Sequence, residues 1–175
     1  MRAVAKFLDR TSAGLNSVAF VLAVLAVLVM LGAASWQVVA RYLLSQPPAW
    51  TEELARFSMV WAGLLGASCA FRGHADPSLF PTMRNLKGGL GLILSIVAGI
   101  GAIVFVVPII WYSIFGLNGH VTSGYVARQM GRHAETLPIS MGTFAVAIPL
   151  GFGLILIHAL ARITTRMIQV PDPGK

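Results

Sequence analysis

The sequence predicts an all-α integral membrane protein with four transmembrane helices, and three observations carry that prediction. Of 175 residues, 57% are apolar and 11% are charged, with a mean hydropathy of +0.79; a soluble domain carries about 25% charged residues. Four stretches reach the roughly 20 apolar helical residues that cross a bilayer. The 13 basic and 6 acidic residues give a net charge of +7, and the basic ones fall between the apolar runs. That pattern points to membrane orientation and anionic inner-leaflet lipid rather than nucleic acid. Apolar content this high excludes disorder. The single cysteine, Cys69, excludes a disulfide framework within the chain and a cysteine-based metal cluster.

The elements follow in order. Residues 1–14 form a basic segment in which Val4, Phe7 and Leu8 lie apart from Arg2, Lys6 and Arg10. Such spacing suits a short helix on the inner membrane surface, with a frayed, solvated end as the alternative. The four-helix domain covers residues 15–161. The first span, about 15–39, is longer than the apolar stretch of a cleaved signal peptide. The second, about 51–71, starts at Thr51 because Glu52 and Glu53 suit the positive end of a helix dipole. The third covers about 88–115 and ends where Gly116, Asn118 and Gly119 break the pattern. The fourth covers about 137–161, and residues 162–175 form a tail.

Orientation follows from Lys and Arg. Arg2, Lys6, Arg10, Arg72, Arg84, Lys87, Arg162, Arg166 and Lys175 share one side, and Arg41, Arg56, Arg128 and Arg132 share the other. The heavier side is cytoplasmic, so both termini are expected inside.

Ionisable groups within a bilayer are costly and usually functional, yet no carboxylate, lysine or arginine falls near the middle of any predicted span. The first span offers Ser17, Ser35 and Gln37, the second Ser58, Ser68 and Cys69, the third Ser95 and Ser113, and the fourth Ser140, Thr143 and His158. A chain that moved a charged solute alone would need polar groups or broken helices there. Catalytic, cofactor and metal sites are not expected. His158 reads as an interfacial or packing residue, since His74, His120 and His133 all fall in loops and leave no second haem ligand. Ser68 and Cys69 lack a histidine base on a neighbouring span.

Small residues are more informative. Ala62, Gly63, Gly66, Ala67 and Ala70 give small-xxx-small spacings on the second helix, which permit close backbone approach in lipid. Either packing within the four-helix unit or docking of another membrane subunit satisfies them. Pro108 and Pro149 are expected to kink the third and fourth helices.

The densest constellation runs from Arg41 to Arg56. Pro47 and Pro48 force a turn, and Tyr42 and Trp50 suit the headgroup level. Glu52 and Glu53 lie four and three residues before Arg56, so either carboxylate can pair with the guanidinium. The stretch reads either as a helix start or as a contact point for a partner.

The run Trp50-Thr51-Glu52-Glu53-Leu54-Ala55-Arg56, with Val60-Trp61, Leu65-Gly66-Ala67 and Arg72-Gly73-His74, resembles the small membrane subunit of tripartite ATP-independent periplasmic (TRAP) transporters, the DctQ-like permease component. Leu137-Pro138-Ile139-Ser140 and Ala147-Ile148-Pro149-Leu150-Gly151 resemble its last helix. After His74 the sequence departs from the family pattern, with Asp76 and Pro77 following closely. The resemblance implies four spans with both termini inside, in the bacterial inner membrane. It further implies a non-catalytic subunit that packs beside a large TRAP membrane subunit. That subunit moves an organic acid with sodium after a periplasmic substrate-binding protein has captured it. Trp50, Glu52, Glu53, Arg56, Trp61, Gly66, Arg72 and His74 are the candidate interface or family-motif residues, and Gly63, Ala67, Ala70 and Pro149 the helix-packing ones. Two other readings fit a four-span accessory protein: the small subunit of a tripartite tricarboxylate transporter, and a membrane anchor of a respiratory complex.

Overall fold

The computed structural model describes residues 2–73, 75 and 89–169. His74, Asp76, Arg84 and Lys87 lie outside the described residues, as does the tail beyond Gln169. In chain order the elements are α1 (Arg2–Leu43), α2 (Ala49–Arg72), α3 (Gly89–Ile114), a 3-10 turn (Val121–Ser123), α4 (Tyr125–Met130), α5 (Gly142–Ala145) and α6 (Ala147–Gln169). No strand occurs among the described residues, which hold one isolated antiparallel bridge between His133 and Ser140. Four segments are long and apolar enough to cross a membrane: Ala5–Tyr42, Ala49–Arg72, Ile96–Ile114 and Gly142–Thr165. The protein is an all-α integral membrane protein. In hydrocarbon the backbone must satisfy its own hydrogen bonds, and helices do so within one segment.

Helix α1 is 42 residues long, or about 63 Å at 1.5 Å per residue. Residues 2–14, expected as a separate surface segment, are instead the first turns of this helix. Gly14 is the one weak helix former at the join, and a single glycine is tolerated. The helix closes at Ser45, whose φ of 55° reverses the backbone, and the Gln46 amide donates to the Ala40 carbonyl at 3.2 Å. Pro47 and Pro48 prevent continuation.

Pro48 is extended (φ −73°, ψ 131°) and precedes α2, where the buried Thr51 hydroxyl donates to the Pro48 carbonyl at 2.7 Å. At the far end the Gly73 amide returns to the Cys69 carbonyl at 2.8 Å. Beyond α3 the chain turns through Gly116 at φ 66°, where a side chain would collide with the Ser123 carbonyl.

The last span begins later than its apolar pattern indicates, at Gly142 rather than near Leu137. Residues 131–141 form a small hairpin instead, with the Ala134 amide donating to the Ile139 carbonyl at 3.0 Å and the Met141 amide to the Arg132 carbonyl at 2.8 Å. Pro138 holds Leu137 out of helical geometry. The helical run is then interrupted at Val146, between α5 and α6. Pro149 lacks the N–H that would bond the Ala145 carbonyl one turn back, so the break sits one turn before the proline.

Helix α2 packs against α1 and α6, which also touch each other, and α3 lies against α6. Ala19, Ala23 and Leu65 form the small buried centre, covered by Trp61, Cys69 and Leu154. Close approach comes from Gly151, where an added Cβ would stand 2.8 Å from Leu64 Cβ, and from Gly99 against the Ile163 side chain. Large apolar residues such as Val21, Leu25, Leu28, Val104 and Phe105 are exposed, as a lipid-facing surface requires.

Candidate functional site

The bundle has two ends. One carries the start of α1 and the ends of α2 and α6, and is called the termini end. The other carries the start of α2 and the 131–141 hairpin, and is called the hairpin end. Each holds a polar cluster.

At the hairpin end, Glu52 and Glu53 take different partners although they are sequence neighbours. Arg56 Nη2 donates to Glu52 Oε1 at 2.8 Å across one helical turn, and both side chains are largely exposed. Glu53 turns to the hairpin. Its Oε1 accepts from the Glu135 amide at 2.9 Å, and its Oε2 accepts from the Thr136 amide at 2.8 Å and the Leu137 amide at 3.1 Å. The Thr136 hydroxyl adds a further bond to the same oxygen. One carboxylate therefore fastens the hairpin tip to the first turn of α2. Below it, Phe57 stacks on Phe144 with ring centroids 3.7 Å apart and planes 5° apart. Ser140 secures the hairpin base, donating to the Met130 carbonyl at 2.8 Å and accepting from the Gly142 amide at 3.1 Å. Between the two lies a cleft lined by Glu52, Glu53, Arg56, Arg132, His133 and Glu135. Trp50 is exposed beside it.

At the termini end, Arg72 reaches α1. It donates to Asp9 Oδ1 at 3.1 Å and to the Ser12 hydroxyl oxygen. Ser12 lies 2.6 Å from His158 Nδ1 on α6, and both residues are buried. Arg162 donates to the Phe71 carbonyl at 2.6 Å and stacks over the Phe71 ring at 4.4 Å. Three helices are thus joined by one relay of side chains.

The remaining candidates divide. Trp61 packs inside the chain against the Ala19–Ala23–Leu65 centre. Gly63 and Ala67 are exposed on α2. Gly66 and Ala70 line an open apolar groove between α1 and α2, together with Asn16, Phe20, Val24 and Leu28. An added Cβ at Gly63 or Gly66 would meet nothing within 4 Å, whereas one at Gly151 or Gly99 would meet the neighbouring helix. Among the described residues no three His, Cys, Asp or Glu side chains come together as a metal would need. Sequence reasoning missed Asp9, Ser12 and Asn16, which lie before the apolar body of the first span, and the 135–137 amides that meet Glu53. No local pattern marks them, because their partners are 53 to 146 positions away.

The chain matches the model of the DctQ component of tripartite ATP-independent periplasmic transporters over residues 30–168. It is similar to the sialic acid TRAP transporter small permease protein SiaQ of Vibrio cholerae serotype O1, with 26% identity over 161 residues, 87% of this chain and 83% of that protein. The match takes in α2, α3, the hairpin and nearly all of α6, and the four apolar helices are those a membrane-embedded permease component requires. The chain belongs to the DctQ family, the small permease components of TRAP transporters.

Proposed function

We propose that this chain is the non-catalytic scaffold of a sodium-coupled uptake system for an organic acid, seated in the bacterial inner membrane with both termini in the cytoplasm. It packs beside a large TRAP membrane subunit that carries the sodium and substrate sites, and a periplasmic substrate-binding protein delivers the solute. Family membership favours this reading over a tricarboxylate-system subunit or a respiratory anchor. The similar Vibrio protein is named for a sialic acid transporter, and an acidic sugar fits the organic-acid class.

One observation supports a scaffold rather than a carrier. The charged side chains of the described spans lie toward their ends: Lys6, Asp9, Arg10 and Arg41 on α1, Glu52, Glu53, Arg56 and Arg72 on α2, and Arg162 on α6, with His158 one turn before it. The middle of each span offers no charged group, and an anion or a coupled cation crossing alone would need one. The basic termini end faces the cytoplasm by the positive-inside rule, which sets the hairpin end, with Trp50 and the Glu52–Arg56 pair, toward the periplasm.

The test is co-purification and uptake. The chain should bring down the large subunit in mild detergent, and sodium-driven accumulation of the acid in liposomes should require both. Accumulation by this chain alone, or full uptake without it, defeats the proposal.

A further inference from the structure

The cleft at the hairpin end lies where two spans enter the membrane. Its lining comes from positions 49–57 on the first turns of α2 and from positions 132–141 of the hairpin, and the last span begins at the next residue, Gly142. Trp50, exposed on the same first turn of α2, suits the headgroup level. The cleft has a volume of about 740 Å³, too large for a lone ion and in the range that holds a small organic group.

Helix α2 is short between its charges. Arg56 and Arg72 stand about 24 Å apart along it at 1.5 Å per residue, against roughly 30 Å of hydrocarbon. A span of that kind thins the bilayer locally or depends on snorkelling side chains. The Glu52–Arg56 pair is largely exposed, so this face of α2 needs a polar cover just below the usual headgroup depth.

Within the cleft most charges are already matched. Arg56 holds Glu52 at 2.8 Å, and the Glu53 carboxylate is taken by the amides of Glu135, Thr136 and Leu137. Two charges remain. The Arg132 guanidinium and the Glu135 carboxylate are exposed, line the same cleft, and make no ion pair or side-chain hydrogen bond among the described residues. A ligand that carries both signs matches this pair. The guanidinium fork suits a phosphate, and an ammonium with N–H groups suits a carboxylate. A purely anionic group would face Glu135, and a metal ion would face Arg132. A trimethylated ammonium has the charge but no N–H for Glu135. Because Glu53 clamps the hairpin tip, the cleft is formed before any ligand arrives. Phe57 and Met141 give the lining an apolar part as well, as an amphiphile requires.

We propose that this cleft holds the headgroup of a zwitterionic phospholipid with a primary ammonium, a phosphatidylethanolamine from the leaflet that meets the hairpin end. Arg132 takes the phosphate, Glu135 takes the ammonium, and the glycerol end leaves past Phe57 and Met141 toward the hydrocarbon. The bound headgroup covers the exposed Glu52–Arg56 pair with polar atoms.

The test is native mass spectrometry of the full chain released from detergent micelles. The chain is titrated with phosphatidylethanolamine, phosphatidylcholine and phosphatidylglycerol of the same acyl chains. The first phosphatidylethanolamine should bind about tenfold more tightly than either other lipid, the effect of one charge-assisted bond. Glu135→Gln should abolish that preference, and Arg132→Gln should weaken phosphatidylethanolamine binding about tenfold. Both side chains are exposed and without a partner among the described residues, so both variants should keep the helical circular dichroism of the unaltered chain. Either variant suffices if the other does not fold. Soluble phosphoethanolamine at the same concentration should leave the lipid in place. No retained lipid, equal retention of the three lipids, a preference that survives both substitutions, or displacement by the soluble compound would overturn the proposal.

Discussion

The two ends of α2 are held by opposite arrangements of polar chemistry. At the hairpin end a single carboxylate, Glu53, gathers three backbone amides and a hydroxyl from a loop that is itself exposed. At the termini end Arg72, Ser12 and His158 link three helices through side chains, and Ser12 and His158 are buried. The first arrangement fastens a surface segment and leaves the helices free of it. The second ties helix to helix. In lipid, where burying apolar surface gives no net attraction between helices, the register of a bundle depends on such directional contacts and on close packing. A buried network costs more to break than an exposed one, because its orphaned members find no solvent.

The largest effect is expected from Arg72→Ala. It removes a charge-assisted donor from the buried relay, and such bonds contribute about 1.5–3 kcal/mol. Unfolding from micelles by added denaturing detergent measures the loss, and a stability equal to the unaltered chain would dissolve the distinction between the ends. Glu53→Ala comes next. It releases the amides of Glu135, Thr136 and Leu137, whose hydrogen exchange should speed up by about tenfold, with amides of α1 and α6 unchanged. Acceleration spreading to α6 would mean that the hairpin end also carries global stability. Gly151→Ala probes the middle, where the added methyl meets Leu64 at 2.8 Å; overpacking of this kind costs about 1 kcal/mol or slightly more, read as a lowered melting midpoint. Arg56→Ala should be smallest, a few tenths of a kcal/mol, because its partner Glu52 is exposed on the same helix. A marked loss of large-subunit capture in that variant, at unchanged stability, would assign the pair to docking.

How much of this was legible in the sequence depended on the distance between partners. The four apolar helices are readable from charge-free runs, and the Glu52–Arg56 pair from its spacing of four. The start of α2 follows from Pro47 and Pro48. Neither cluster could be read in full. Glu53 is next to Glu52, yet its partners lie more than 80 positions later, and Ser12 and His158 are separated by 146. The late start of the last span has a similar origin: residues 137–141 are apolar enough to join the helix, but Pro138 and the amides given to Glu53 place them in the hairpin. Asn16 escaped notice because it stands just ahead of the first apolar run, a polar residue in a sequence read for its hydrocarbon.

Helix α1 has 42 residues with no proline and no break, about twice the rise needed to traverse the hydrocarbon. A rod of that kind cannot change its inclination at one extremity alone. Any sideways push on the turn at Ser45 must swing Asp9 and Ser12 the opposite way, so a neighbour leaning on one face of the membrane would be felt as leverage on the relay at the other.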